Sequence, residues 1–166
     1  MRPFRGHVCI DQWRKQYDVE NYGKLARFSS LLLTAGSRAG KSWKALSIFG
    51  VQATLKVNCQ GLSLATLPSL STFDRRLHRA ILFDEIRPDQ VLGNKEVFQA
   101  PAFPVSLAQS NCNAFCYQLW LYQIALVCCS NHFPMSQAEG LSADEEDWLQ
   151  ANLVQVELPE GQRWYL

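Results

Sequence analysis

Residues 27–50 read RFSSLLLTAGSRAGKSWKALSIFG, and this stretch decides the fold. Phe28 and the run Leu31-Leu32-Leu33 are apolar without alternation, the pattern of a strand covered on both faces in a parallel sheet. A segment of small residues follows, from Ala35 to Ser42. Trp43, Ala45, Leu46 and Phe49 then recur at helical spacing, and Gly50 supplies the stop.

The loop itself, Ala35-Gly36-Ser37-Arg38-Ala39-Gly40-Lys41-Ser42, lies close to the phosphate-binding pattern G-x-x-x-x-G-K-[ST]. Small residues let the backbone curl until several N–H groups point at one centre, and the start of the next helix adds partial positive charge. Lys41 would reach the outer phosphates of a nucleotide, and the Ser42 hydroxyl would ligate magnesium. Ala35 stands where the pattern has its first glycine, and a methyl group is tolerated there only if the residue keeps a negative φ. A bare Gly-Lys-Ser also occurs by chance in surface loops. The strand before it and the helix after it favour the nucleotide reading.

A second stretch, RAILFDEI at 79–86, has the same buried-strand character in Ala80-Ile81-Leu82-Phe83 and delivers Asp84 and Glu85 to its C-terminal end. Ligands of open parallel sheets bind at that end. Asp84 would hold magnesium, directly or through water, and Glu85 would act as general base on the attacking water. Alone, such a stretch equally describes a strand followed by a surface turn; downstream of a phosphate loop, the two motifs explain each other. A third apolar run, Ile124 to Cys129, ends in Ser130-Asn131-His132. The amide of Asn131 would sense the terminal phosphate and orient water, or would simply cap a turn.

The remaining chain supplies the frame. Residues 1–26 are polar, aromatic and basic, with Trp13, Tyr17 and Tyr22 spaced for a short helix; they read as a packing or linker segment ahead of one domain, 27–166. Leu55 and Val57 alternate with polar neighbours, predicting a strand over 53–58, and residues 59–71 form a loop. Residues 88–100 predict one helix with Val91, Leu92, Val97 and Phe98 on one side, ended by Pro101 and Pro104. Alternation around 117–122 predicts a strand or hairpin. Ser142-Ala143-Asp144-Glu145 is a capping box, opening a helix to about Ala151. A strand over 153–158 and a short tail, Pro159 to Leu166, follow.

Composition narrows the function classes. The 166 residues suit one domain with a real core. No segment reaches the roughly 20 apolar residues of a membrane span. The opening Met1-Arg2-Pro3-Phe4-Arg5 lacks the apolar core of a secretory signal. Six cysteines without a regular framework imply reduced thiols and an intracellular setting, cytoplasmic or nuclear. His7 and Cys9 are too few ligands for a metal. Cys112, Cys116, Cys128, Cys129 and His132 have the wrong spacing for zinc, and adjacent strand residues face opposite ways, so packed thiols are the better reading. Charge is lopsided: residues 1–95 hold fifteen Lys and Arg against seven acids, while residues 96–162 hold no Lys or Arg at all. The basic half suits nucleic acid or phosphates, or is plain solvated surface.

Taken together, RFSSLLLTAGSRAGKSWKALSIFG, RAILFDEI and ALVCCSN resemble the superfamily 3 helicase domain. More narrowly, they resemble the ATPase half of the replication initiator (Rep) proteins of circular single-stranded DNA viruses and their relatives. The likeness covers residues 28–131 and is strongest in the first two motifs. It implies a three-layer α/β P-loop NTPase, with a mostly parallel sheet, helices on both faces and a β-hairpin inserted before the sensor strand. It implies ATP and Mg2+ as cofactors, a homo-oligomeric ring, single-stranded DNA or RNA as partner, and no membrane. By position, residues 35–42 would bind the triphosphate, Ser42 and Asp84 the metal, and Lys41, Glu85 and Asn131 would be catalytic. Three departures stand beside the likeness: Ala35, the absence of any Lys or Arg from Glu96 to Gln162, where the family carries a basic residue on a hairpin loop, and the missing nicking domain upstream. Aromatic stacking by Tyr117, Trp120 or Tyr122 would partly replace the lost phosphate contacts. Arg75, Arg76, Arg79 and Arg163 are equal candidates for an arginine finger. Two functions stay open: an active, helicase-like ATPase, or a degenerate or domesticated P-loop module that binds nucleotide without unwinding and works through protein contacts.

Overall fold

The computed structural model describes residues 3–63, 65–108, 116–131 and 140–165. Helix α1 (Val8–Lys15) precedes β1 (Ser30–Thr34), α2 (Lys41–Phe49), β2 (Thr54–Asn58) and β3 (Ala80–Asp84). Short helices α3 (Pro88–Leu92) and α4 (Lys95–Phe98) lead to β4 (Val105–Ala108), β5 (Cys116–Leu119) and β6 (Ala125–Ser130), and α5 (Ala143–Asn152) leads to β7 (Leu153–Glu157). Five strands form one parallel sheet in the order β2-β3-β6-β1-β7. β4 and β5 pair antiparallel as a separate hairpin directly before β6. The protein is therefore α/β with a parallel sheet and helices on both faces, as the sequence predicts.

The apolar runs account for the order of the strands. β1, β3 and β6 are buried at every residue and occupy the centre, whereas β2 and β7 alternate and form the edges. Within the central strands, successive residues feed opposite layers. Leu32, Ile81, Phe83, Leu126 and Cys128 pack with Val91, Val97, Phe98 and Leu149 of α3, α4 and α5. Leu31, Leu33, Leu82, Val127 and Cys129 pack with Ala45, Leu46 and Ile48 of α2 and with Ile10 and Trp13 of α1.

The crossovers give the sheet its crevice. β1 leads through α2 to β2 at one edge, and β6 leads through α5 to β7 at the other. Right-handed crossovers that travel in opposite directions lay their helices on opposite faces. They diverge at neighbouring strands β1 and β6, and the switch point opens at the strand C-termini.

Residues ahead of β1 belong to the same core. The Trp13 indole donates to the Ser29 carbonyl at 2.6 Å, and the Tyr17 hydroxyl donates to it at 3.3 Å, fastening α1 beside the start of β1. His7 caps α1, its Nδ1 accepting from the Cys9 N–H at 3.3 Å. Among the described residues, no helix is long and apolar enough to cross a membrane.

Two local expectations need correction. The run 88–100 is two short helices, because the Asn94 side chain donates to the Ala65 and Gln90 carbonyls, each at 2.7 Å, and interrupts the helix at Gly93-Asn94. Trp43, which shares the helical spacing of α2, lies off its buried face and is 56% exposed.

Candidate functional site

β3, β6 and β1 are adjacent and parallel, with Thr34 level with Ser130 and Asp84 level with Cys129. Whatever follows these strands emerges along one end of the sheet. Because β6 stands between the other two, Asn131 comes out between the loop 35–42 and the pair Asp84-Glu85.

The side chains meet there. The Lys41 ammonium donates to the Ala35 and Gly36 carbonyls, each at 3.0 Å, and to the Asn131 amide oxygen at 2.5 Å. The Asn131 amide nitrogen donates to a Glu85 carboxylate oxygen at 2.9 Å. The Ser42 hydroxyl donates to Asp84 Oδ1 at 2.7 Å, while Lys56 Nζ stands 2.7 Å from Asp84 Oδ2. Every side chain that sequence reading assigned a catalytic or metal role is thus in one cluster.

Backbone geometry makes the loop a cradle. Arg38, Glu85, Ala100 and Gln123 are the non-glycine residues at positive φ among those described, so Ala35 keeps the negative φ that its methyl group demands. Arg38 at φ 62° and Gly40 at φ 87° turn the chain into α2. Gly40 is the N-cap of α2 and offers no side-chain cap, leaving the first-turn N–H groups of a nine-residue helix open. Glu85 sits at φ 56° at the tip of β3. A non-glycine residue held there carries strain of roughly 1–3 kcal/mol, a cost found where function fixes the backbone.

Sequence reading missed two contributors. Lys56 enters through register: β2 pairs with β3 so that Asn58 is level with Asp84, and a lysine two residues earlier on the same face reaches the carboxylate. The second is the tail. The Trp164 N–H donates to the Ala39 carbonyl at 2.9 Å, and the Tyr165 hydroxyl donates to the Arg38 carbonyl at 3.2 Å. Tyr165 also bridges to Phe4, and Arg5 N–H donates to the Trp164 carbonyl at 2.8 Å, so both ends of the chain clamp the loop. Lys44, buried on α2, lies over the Phe4 and Trp164 rings and donates to the Arg5 carbonyl at 2.9 Å.

Buried thiols line the underside. Burial, then the Asp84 carboxylate, pushes the Cys59 thiol up to about 12 and the Cys129 thiol well above its ordinary value. Both stay neutral at physiological pH, and neither is a ready nucleophile or metal ligand. Cys128 and Cys129 enter opposite cores, so one metal cannot take both. Cys112 and His132 lie outside the described residues.

The donor set fits a phosphate with a hard cation. Open N–H groups and an ammonium suit the anion, and a hydroxyl beside a carboxylate suits magnesium. Among the described residues no cluster of three or more His, Cys, Asp or Glu gathers, so a cation here would need phosphate oxygens and water to complete its shell. A cleft of about 280 Å³ is lined by Lys41, Ser42, Trp43, Glu85 and Tyr165.

The arginine candidates separate by position. Arg75 donates to the Trp120 and Tyr122 carbonyls, at 3.0 and 2.8 Å, and stacks on Trp120. Arg79 precedes β3, at the opposite end of the sheet from Asp84. Arg163 adjoins Trp164, which bonds the loop. No protein-family model matches this chain, and no curated protein matches it.

Proposed function

We propose that this chain binds a nucleoside triphosphate with magnesium at residues 35–42 and hydrolyses it, as a helicase-like ATPase related to viral replication initiators. One observation carries the reading: Lys41, Asn131 and Glu85 form a single hydrogen-bonded chain, with Ser42 against Asp84 beside it. Random surface loops do not converge on two carboxylates and an amide at the C-terminal end of a parallel sheet.

Each group has a role that its chemistry allows. The first-turn N–H groups of α2 and the Lys41 ammonium bind phosphate oxygens. Ser42 and Asp84 present the oxygens that hold magnesium, which, when bound, neutralises phosphate charge and polarises the bond to be cut. Glu85 accepts a proton from the attacking water. Asn131 holds the Glu85 carboxylate in position and offers its own amide to the terminal phosphate.

The test is phosphate release by the wild type and by Lys41→Ala, each with and without single-stranded DNA or RNA. Release by the wild type that Lys41→Ala abolishes supports the enzyme; equal release by both proteins rules it out. Stimulation by a polymer supports the motor.

A second reading is a nucleotide-binding module that works through protein contacts. The hairpin β4–β5 favours it. Residues 96–162 bring no cation to grip a phosphate backbone. The Tyr117 hydroxyl accepts from the Leu70 N–H, the Tyr122 hydroxyl donates to the Leu25 carbonyl, and Trp120 lies under Arg75. Tyr117 and Tyr122 are thus committed to the protein itself, and Trp120, 46% exposed, already carries Arg75 on its ring, which weakens the case for stacking on a single strand.

A further inference from the structure

We infer that Tyr165 and Trp43 form the nucleobase end of this cleft and take an aromatic base by stacking. The inference rests on the nucleotide reading above and extends it to the part of the ligand that the phosphate loop does not address.

Polarity along the cleft carries it. Glu85 follows β3 and Tyr165 follows β7, on opposite sides of β1 and its loop in the sheet order, and both line the cleft together with Lys41, Ser42 and Trp43. The general base and Asn131 must face the terminal phosphate. The nucleoside therefore leaves the cleft on the side away from Glu85, toward Tyr165, with Trp43 on the cleft wall. Trp43 is 56% exposed although it sits on a helix whose other large apolar residues pack inward. On the first turn of α2 this indole keeps more than half of its surface in water. Tyr165 is half-buried, with its ring against Gly40 and its hydroxyl fixed on the Arg38 carbonyl. The hydroxyl bond and the Phe4 bridge fix the ring on the wall of the cleft, so little ordering remains to be done on binding. Every base has a π-face, so a stacking platform adds affinity without reading identity. Among the described residues that line the cleft, Glu85 is the one carboxylate and none carries a side-chain amide, the groups that would select adenine over guanine.

The test compares three probes by calorimetry in magnesium: ATP, GTP and inorganic tripolyphosphate. The wild type should bind ATP and GTP within a few-fold of each other, and both more tightly than tripolyphosphate by roughly 5- to 150-fold. Trp43→Ala should remove a large part of that advantage and leave tripolyphosphate affinity within about twofold, and Tyr165→Leu should lower ATP affinity by more than it lowers tripolyphosphate affinity. Tyr165→Phe, which keeps the ring, should retain it. Equal affinity of the wild type for ATP and tripolyphosphate overturns the base platform while leaving the phosphate loop standing. A Tyr165→Leu protein that loses tripolyphosphate as strongly as ATP also overturns it, since the ring then merely shapes the loop. Trp43, being mostly exposed, keeps the test valid should Tyr165→Leu not fold. A wild type that binds none of the three probes removes the nucleotide reading and this inference with it.

Discussion

The Ser42 hydroxyl donates to the Asp84 carboxylate at 2.7 Å, joining the first turn of α2 to the tip of β3. Neither motif needs the other to form its own local structure. Their meeting follows from sheet order, with β6 as the only strand between β1 and β3. Lys56 holds the other Asp84 oxygen, so the carboxylate is shared between a hydroxyl and an ammonium.

That sharing predicts the behaviour of Ser42→Ala. The variant should lose most of the gain in ATP affinity that magnesium gives, about tenfold or more, while affinity in chelator changes little. Calorimetry with and without magnesium checks this. Equal losses in both conditions would mean that Ser42 does not serve a cation.

Glu85 predicts a trade between turnover and stability. Glu85→Gln should bind ATP within about threefold of the wild type yet release phosphate at least about 100-fold more slowly. Glu85→Gly should be equally inactive but more stable by about 1 kcal/mol, because glycine accepts φ 56° without strain. Denaturant titration reads the gain; a less stable Glu85→Gly would show that the backbone there is not strained.

Gly40 carries two constraints that a double variant separates. A Cβ there would lie 2.5 Å from the Tyr165 ring, and its φ of 87° disfavours any side chain. Gly40→Ala should cost about 1–3 kcal/mol and most of the ATP affinity. Adding Tyr165→Ala should recover the steric share in denaturant titration, but not the share due to φ. Strictly additive losses in the pair would show that the ring does not press on residue 40.

The buried thiols predict an alkaline limit. Cys59 is held up to about 12 from an ordinary 9.0, and burial raises Cys128 and Cys129 as well. Below pH 9 the folded and unfolded thiols are both neutral, and their contribution is complete. Above it the unfolded chain ionises while the folded one does not. Each thiol then costs about 1.4 kcal/mol of stability per pH unit, for Cys59 until the pH passes its folded value. Cys59→Ala should lose less stability than the wild type between pH 9 and 11. A parallel decline in the two proteins would remove the thiol from the account.

Much of this is legible in the sequence. Continuous apolar runs marked β1, β3 and β6 as central because a strand with no polar side must be covered twice. Alternation predicts strands at 53–58 and 153–158, and the sheet order places both at its edges. Ser142 and Glu145 cap α5 reciprocally, at 3.3 and 2.9 Å, since a capping box is satisfied within four residues. Where the reading failed, the cause was remote contact. Ala65 lies far from Asn94 in the chain, and its carbonyl helps divide α3 from α4. The tail residues Trp164 and Tyr165 carry no periodic signal, and only folding brings them onto Ala39 and Arg38.

The sequence by itself determined the strands, the loop between β1 and α2, and the chemical types at the strand ends, because these depend on side-chain polarity and backbone freedom over a few neighbouring residues. Tertiary structure alone decided that Asn131 stands between Lys41 and Glu85, that Lys56 shares Asp84, and that Tyr165 rests on Gly40. Strand order and register are set by the packing of two opposed cores, a property of the whole chain that no local pattern contains.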